Sequence, residues 1–315
     1  MVMTGVASGN ISLADKFAGC LLGVALGDCL GASWEGYLGT EVAEAYYDGR
    51  FDPVNLRMSE WTDDTAMAMA TAQSIVDMGR VDGADLAAKY LAWFEAGGRG
   101  IGRATYHSMR RLQAGVPWDK AGQEGEYAAG NSVAMRVAPV GLLHTLDREN
   151  LAEDCRTCGL ITHRNDDAIA GGVAVAHAVA QGASGNLAVE ALAVEMTSVV
   201  APLQVSAVML RAGELAETGQ SPLQAMHDLG LGGSVYETVG SAIYCIMRWP
   251  EDPVKGLVSA VVNGGDTDTR AAIVGALWGA QLGTAAWPKY WLDSVPGGEG
   301  IRNVALELHD LVVSR

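Results

Sequence analysis

Along most of the chain, apolar residues recur at helical spacing between residues that start and stop helices. The stretch LADKFAGCLLGVALGDCLG, residues 13–31, opens with that period. DDTAMAMATAQSIVDMG, residues 63–79, begins on two acids and ends on Gly79, the expected start and stop signals. Residues 82–98, 102–115, 167–182, 186–219, 236–250 and 268–283 repeat this grammar and read as further helices. Alternating runs rich in Val, Ile and Thr between turn residues are nearly absent, so strands are not expected. Loops are expected at Gly97–Gly102, Gly122–Gly130, Gly182–Gly185, Gly230–Gly233 and Trp249–Pro253. None is long or low in complexity, and the helices have no fixed repeat period. The pattern predicts an all-α protein with one compact domain over residues 1–315.

Composition refines this picture. A chain of 315 residues buries roughly 75% of its unfolded surface, so its core needs no disulfide or metal staple. With 40 Gly, only 3 Phe and many Ala, closely packed helices and tight turns are expected. The 37 acidic and 21 basic residues leave a net charge of −16. No Lys/Arg-rich stripe stands out, which argues against nucleic acid as the main partner. Most of the acidity serves solubility, though a cluster of acids could serve a cation. The 5 Cys are odd in number, and MVMTGVASGN has neither a basic nor an apolar signal region. Both features fit a reduced cytoplasm. Cys155 and Cys158 form a lone C-x-x-C, read as buried thiols rather than zinc ligands. No long uncharged apolar run suggests a membrane span. FAGCLLGVALGDCLGASW comes nearest, and it carries Asp28 and four Gly.

Two segments carry candidate chemistry. WTDDT supplies Thr62, Asp63, Asp64 and Thr65; NGGDTDT supplies Asp266, Thr267, Asp268 and Thr269. Each sits where a helix begins, so the ordinary reading is capping and complementing the helix dipole. GGDTDT exceeds what capping needs. Within a helix, its two aspartates would diverge by about 200°. They converge if Asp266 lies in the turn before the helix, which Gly264 and Gly265 allow. If both helix starts meet, four carboxylates share a pocket and repel one another unless protonated or holding cations. An all-oxygen donor set selects Mg²⁺, Mn²⁺ or Ca²⁺ over zinc, and two ions would balance four carboxylates. Asp28 and Glu35 lie in GDCLGASWEG. In GNSVAMRVAPVG, Gly130 and Asn131 before a helix can present N–H groups to a phosphate. His163 lies in ITHRNDDA, where capping is the plain alternative.

These five segments, GCLLGVALGDCLGASWEG, WTDDTAMAMA, GNSVAMRVAPVGLL, ITHRNDDA and VNGGDTDTRAAIVGALWGA, resemble the ADP-ribosylglycohydrolases in order and context over roughly residues 13–287. The resemblance implies an orthogonal all-α fold around a binuclear magnesium or manganese centre. It also implies hydrolysis at C1″ of an ADP-ribosyl group on protein arginine or serine, or on a small derivative. Carried onto this chain, the metal ligands are Thr62, Asp63, Asp64, Asp266, Asp268 and Thr269. Glu35 is the acidic residue for proton transfer or water positioning, and Asp28 holds a ribose hydroxyl or a metal-bound water. Gly130, Asn131 and Ser132 receive the diphosphate, and His163 lines the cleft. Tyr127 and Tyr236 are candidates to stack on adenine. Two departures bear on substrate choice: Ser132 stands where the family has a third loop glycine, and Arg270 could pair with a ligand carboxylate or reach a phosphate. The other readings are a catalytically silent binding or structural member, as the J1 lens crystallins look, and a terpenoid-synthase-type enzyme. The latter's D-D-x-x-D pattern is absent: Thr65, Ala66 and Met67 follow Asp64.

Overall fold

The computed structural model describes residues 11–53, 58–218 and 220–315. MVMTGVASGN lies outside them. Among the described residues the chain is α-helices joined by turns, without strands; Gln123–His163 and Gly130–Ser234 are isolated bridges. The first half comprises α1 Leu13–Gly31, α2 Gly39–Tyr47, α3 Asp63–Met78, α4 Gly83–Glu95, α5 Arg103–Gln113, α6 Trp118–Ala121, α7 Ser132–Arg136, α8 Ala138–Leu143 and α9 Leu151–Leu160. The second comprises α10 Asp166–Ser184, α11 Leu192–Ser198, α12 Gln204–Glu217, α13 Pro222–Leu229, α14 Val235–Arg248, α15 Pro253–Val262, α16 Thr267–Leu282, α17 Lys289–Ser294 and α18 Gly298–Val313.

The molecule is organised around α1 and α16, which run antiparallel with their backbones touching. Gly19, Gly23, Gly27 and Gly31 recur every fourth residue and form one face of α1. A Cβ on Gly23 would sit 2.1 Å from the Gly275 carbonyl oxygen, and one on Gly27 2.1 Å from that of Ala271. At the end of the seam, a Cβ on Gly31 would lie 2.5 Å from Asp268 Cα. This register sets the C-terminal end of α1, with Asp28, against the N-terminal start of α16. Both helices are buried over most of their length, as is α10. Helices apolar on every side belong in a core.

Two predicted boundaries change. Residues 186–219 read as a continuous helix, but the described part is a short 3₁₀ turn, α11 and α12. Pro202 cannot continue an α-helix, and α12 begins anew behind it, with Ser206 Oγ accepting from Leu203 N–H at 2.8 Å. The loop expected at Gly182–Gly185 begins later, because α10 runs to Ser184 and ends on left-handed Gly185.

Candidate active site

Helix α3 begins with a borrowed cap. Thr62 occupies its N-cap position, yet its own side chain caps nothing. The capping oxygens come from Asp28 on α1, which is fully buried. Its carboxylate accepts from Thr62 N–H at 2.9 Å, Thr65 N–H at 3.0 Å, Thr62 Oγ1 at 2.9 Å and Thr65 Oγ1 at 2.6 Å. Asp63 and Asp64 are thereby released from capping. Asp64 Oδ2 lies 3.3 Å from Thr62 Oγ1 and 3.4 Å from Thr269 Oγ1. Its Oδ1 is buried with no hydrogen-bond partner.

Helix α16 begins from a turn that only glycine fits. Gly264 and Gly265 have φ of 72° and 78°, a region side chains avoid. The turn is stitched to two others. Gly36 N–H donates to Gly265 O at 2.8 Å, and Gly265 N–H to Tyr37 O at 2.9 Å. Asp266 N–H donates to Leu231 O at 2.7 Å. Asp266 is the N-cap residue and, like Thr62, makes no side-chain cap. Instead its Oδ2 accepts from Asn131 Nδ2 at 2.6 Å, and the same amide reaches Thr238 Oγ1 at 2.9 Å. Asp268 Oδ1 accepts from Thr269 N–H at 2.9 Å.

The two helix starts meet on one cavity of about 460 Å³. Glu35, Asp63, Asn131, Ser132, Asp266 and Asp268 line it, together with glycine-rich segments at 100–102 and 232–233. Asp28, Asp64 and Asp268 each offer an oxygen within 4.8 Å of the others. Of the three, Asp28 is already occupied by Thr62 and Thr65, so Asp64 and Asp268 carry the uncommitted oxygens. Burial pushes the Asp63 and Asp64 carboxyls well above the ordinary range, reinforced by Asp28 at Asp63 and by Asp268 at Asp64. Burial, then Asp266 and Glu35, push Asp268 up to about 9. Glu35, on the exposed rim, is raised by partial burial and then by Asp266 and Asp28. Concentrated carboxylates with an unpartnered buried oxygen are a donor set for a hard divalent cation.

Other sequence candidates surround this centre. Asn131 and Ser132 form the cavity wall, with Gly130 just before them packed on His163; the wall is fixed by Asn131 N–H to Gly233 O at 3.2 Å and Thr105 Oγ1 to Ser132 Oγ at 3.3 Å. His163 lies under that wall: it is 1% exposed, its Nδ1 is 2.8 Å from Thr162 Oγ1, and a Cβ on Gly130 would sit 2.7 Å from its Nε2. Burial, then Arg136, hold its pKa down at about 3. Tyr236 directs its hydroxyl to Asp167 at 3.1 Å, whereas Tyr127 is 94% exposed on an adjacent groove. Arg270 neither bonds a carboxylate nor reaches the cavity. Fully buried, it donates to Ala260 O at 2.7 Å and Gly264 O at 2.6 Å, bracing the glycine turn. Cys155 and Cys158 are buried and unpaired.

Several functional positions escaped the motif reading. Gly100, Arg103, Gly232 and Gly233 line the cavity, although glycine clusters had marked only loops there. Buried Arg136, in the same segment as Gly130, donates to Cys158 O at 2.7 Å and Thr162 Oγ1 at 2.6 Å, and its guanidinium lies 4.9 Å from the Tyr90 ring centroid. It clamps α7, and with it the cavity wall.

With this geometry in place, comparison with known proteins defines the class. The ADP-ribosylglycohydrolase family model matches residues 10–315. The chain belongs to that family. It is 28% identical to ADP-ribosylarginine hydrolase Tri1 of Serratia proteamaculans, covering 93% of this chain and 79% of the relative. It is likewise 28% identical to ADP-ribosylhydrolase ARH3 of Xenopus tropicalis, covering 95% and 96%. A solved ADP-ribosylglycohydrolase-related protein complex superposes with a TM-score of 0.76 at 28% identity, over 95% of this chain and 99% of that one. The protein is thus an all-α hydrolase acting on ADP-ribosyl groups. Among the described residues, no helix is long and apolar enough to cross a membrane.

Proposed function

We propose that this hydrolase is metal-dependent and cleaves the C1″ glycosidic bond of an ADP-ribosyl group on protein arginine or serine, or on a small ADP-ribose derivative. One observation carries the reading. Two helix starts, neither capped by its own side chain, direct their carboxylates at one cavity. Thr62, Asp63, Asp64, Asp266, Asp268 and Thr269 would hold two magnesium or manganese ions. When bound, such ions neutralise the carboxylates and polarise the sugar hydroxyls and a water.

The chain's own groups do the remaining work. Glu35, on the rim with a raised pKa, exchanges the proton that glycosidic cleavage requires through an oxocarbenium-like transition state. Asp28 acts through Thr62 and Thr65, holding the start of α3 in register. The Gly130–Ser132 wall supports the diphosphate, and Tyr127 offers its exposed ring to adenine. The five thiols are buried and unpaired, as suits a reducing compartment such as the cytoplasm.

The test is incubation with ADP-ribosyl-arginine, ADP-ribosyl-serine peptide and ADP-ribose 1″-phosphate, with and without Mg²⁺ or Mn²⁺. Cation-dependent release of ADP-ribose from one of them is expected. No release from any favours a silent binding protein, and release undiminished by chelation removes the metal. Asp268→Ala is expected to abolish bound divalent ion by elemental analysis; full retention overturns the ligand assignment.

A further inference from the structure

Helix α5 carries Arg103, His107, Arg110 and Arg111. The spacing i, i+4, i+7, i+8 puts them on one helical face, while Thr105, Ser108 and Met109 turn into the core. In a chain of net charge −16, this is a local inversion of sign. The face forms the wall of a groove of about 910 Å³, with Gln123, Glu124 and Tyr127 opposite. No carboxylate neutralises it among the described residues. Arg111 donates to Gly122 O and Lys120 O, and Arg110 to Gln113 Oε1. Glu124, the one acid among the described side chains that line it, is paired with Arg164.

The groove joins the catalytic cavity at a defined end. Arg103 lines both, whereas Glu35, Asp63, Asp266 and Asp268 line the cavity alone. The stripe from Arg103 to Arg111 then runs about 12 Å further along α5. If the scissile bond lies at the carboxylates and the diphosphate at Gly130–Ser132, the nucleoside end of the substrate leaves through Arg103. The modified protein, attached at the opposite end, does not enter this groove. Unpaired cations beyond the nucleoside would recognise another anion there.

We propose that the α5 groove is a second anion subsite, taking a phosphate carried beyond the adenosine of the ADP-ribosyl group. This rests on the ADP-ribosyl reading of the cavity. The phosphate has two possible sources, a monoester on the adenosine ribose or the diphosphate of a following ADP-ribose unit.

Calorimetric titration with ADP-ribose, 2′-phospho-ADP-ribose and an ADP-ribose dimer separates them. The ligand with the correct phosphate is expected to bind about tenfold or more tightly than ADP-ribose, by an added charge-assisted contact. Which of the two gains identifies the source. His107→Gln combined with Arg110→Gln removes the cations without adding negative charge beside Tyr127, and is expected to erase the gain while changing ADP-ribose affinity less than about threefold. The gain is also expected to shrink with added salt. Equal affinity of all three ligands, or a gain that survives the double variant, overturns the subsite alone. Failure of ADP-ribose to bind overturns it together with the cavity reading.

Discussion

At the scale of single residues, position relative to the cavity separates carboxylates of one type into different roles. Asp28 is buried under four hydrogen bonds from Thr62 and Thr65, so it organises. Glu35 stands on the rim among acids that raise its pKa, so it is suited to proton transfer. Glu35→Gln is expected to bind ADP-ribose while lowering kcat by about 10²–10⁴-fold, the usual contribution of one acid or base; a wild-type kcat removes Glu35 from the reaction. His163 is a pH-sensitive structural residue. Its folded pKa is about 3, against about 6.5 unfolded. Below pH 6.5 the unfolded chain therefore binds a proton that the folded chain refuses. Stability from this residue is complete above about pH 6.5 and falls as pH drops toward 3, by about 1.4 kcal/mol per unit. His163→Asn is expected to flatten that part of the acid limb in denaturant titrations at successive pH values. Identical slopes would mean that the imidazole does not stay neutral. A sequence shows a carboxylate or an imidazole but not its burial, which is why Asp28, Glu35 and His163 were legible as candidates, Glu35 with its proposed proton-transfer task, while the capping of α3 by Asp28 and the burial of His163 beneath the wall were not.

At the scale of elements, the seam between α1 and α16 fixes the site. Overpacking a tight contact costs about 1–3 kcal/mol, and the seam leaves no slack, since a Cβ on Gly23 or Gly275 would meet backbone at 2.1 or 2.0 Å. Gly23→Ala and Gly275→Ala are each expected to lower the denaturation midpoint accordingly. Gly300 in α18 is the internal control, because a Cβ there meets nothing within 4 Å. Gly300→Ala is expected to stabilise by about 0.5–1 kcal/mol through helix propensity. Equal effects at the three positions would mean that the seam is looser than its geometry. Much of this architecture was readable. The acid-start, Gly-stop grammar of residues 63–79 corresponds to α3, and residues 13–31 to α1. The capping account of Thr62 and Asp266 failed because Asp28 and Asn131, remote in sequence, supply the bonds that set those residues. Helices α2, α9, α13, α15 and α18, and the α5 face as a groove wall, escaped notice. All but α18 are ten residues or fewer, and the groove wall is defined by what it faces across space.

At the scale of the whole molecule, folding itself assembles the acidic centre. Asp64 from α3 and Asp268 from α16 are adjacent only in the folded chain, where burial first, then Asp268 at Asp64 and Asp266 and Glu35 at Asp268, hold both carboxyls far above their ordinary range. The unfolded chain disperses them, and with them any affinity for a hard cation. A ligand that binds only the folded state stabilises it by mass action, about 2.7 kcal/mol at a hundred times its Kd. Large domains gain about 2 °C per kcal/mol, so Mg²⁺ or Mn²⁺ is expected to raise Tm by about 5 °C, and chelation to reverse the change. Monovalent salt at the same ionic strength is the necessary comparison, because screening acts on exposed charges everywhere but little on buried ones. The decisive variant is Asp64→Asn. It removes a carboxyl that burial and Asp268 make costly to ionise and one ligand from the proposed centre, so its metal-free Tm is expected to rise above that of metal-free wild type while its response to divalent cation disappears. A wild-type cation response in Asp64→Asn would place the cation elsewhere. A metal-free Tm below wild type would show that this carboxylate is stabilising without metal, and that the acids are held by contacts other than a cation.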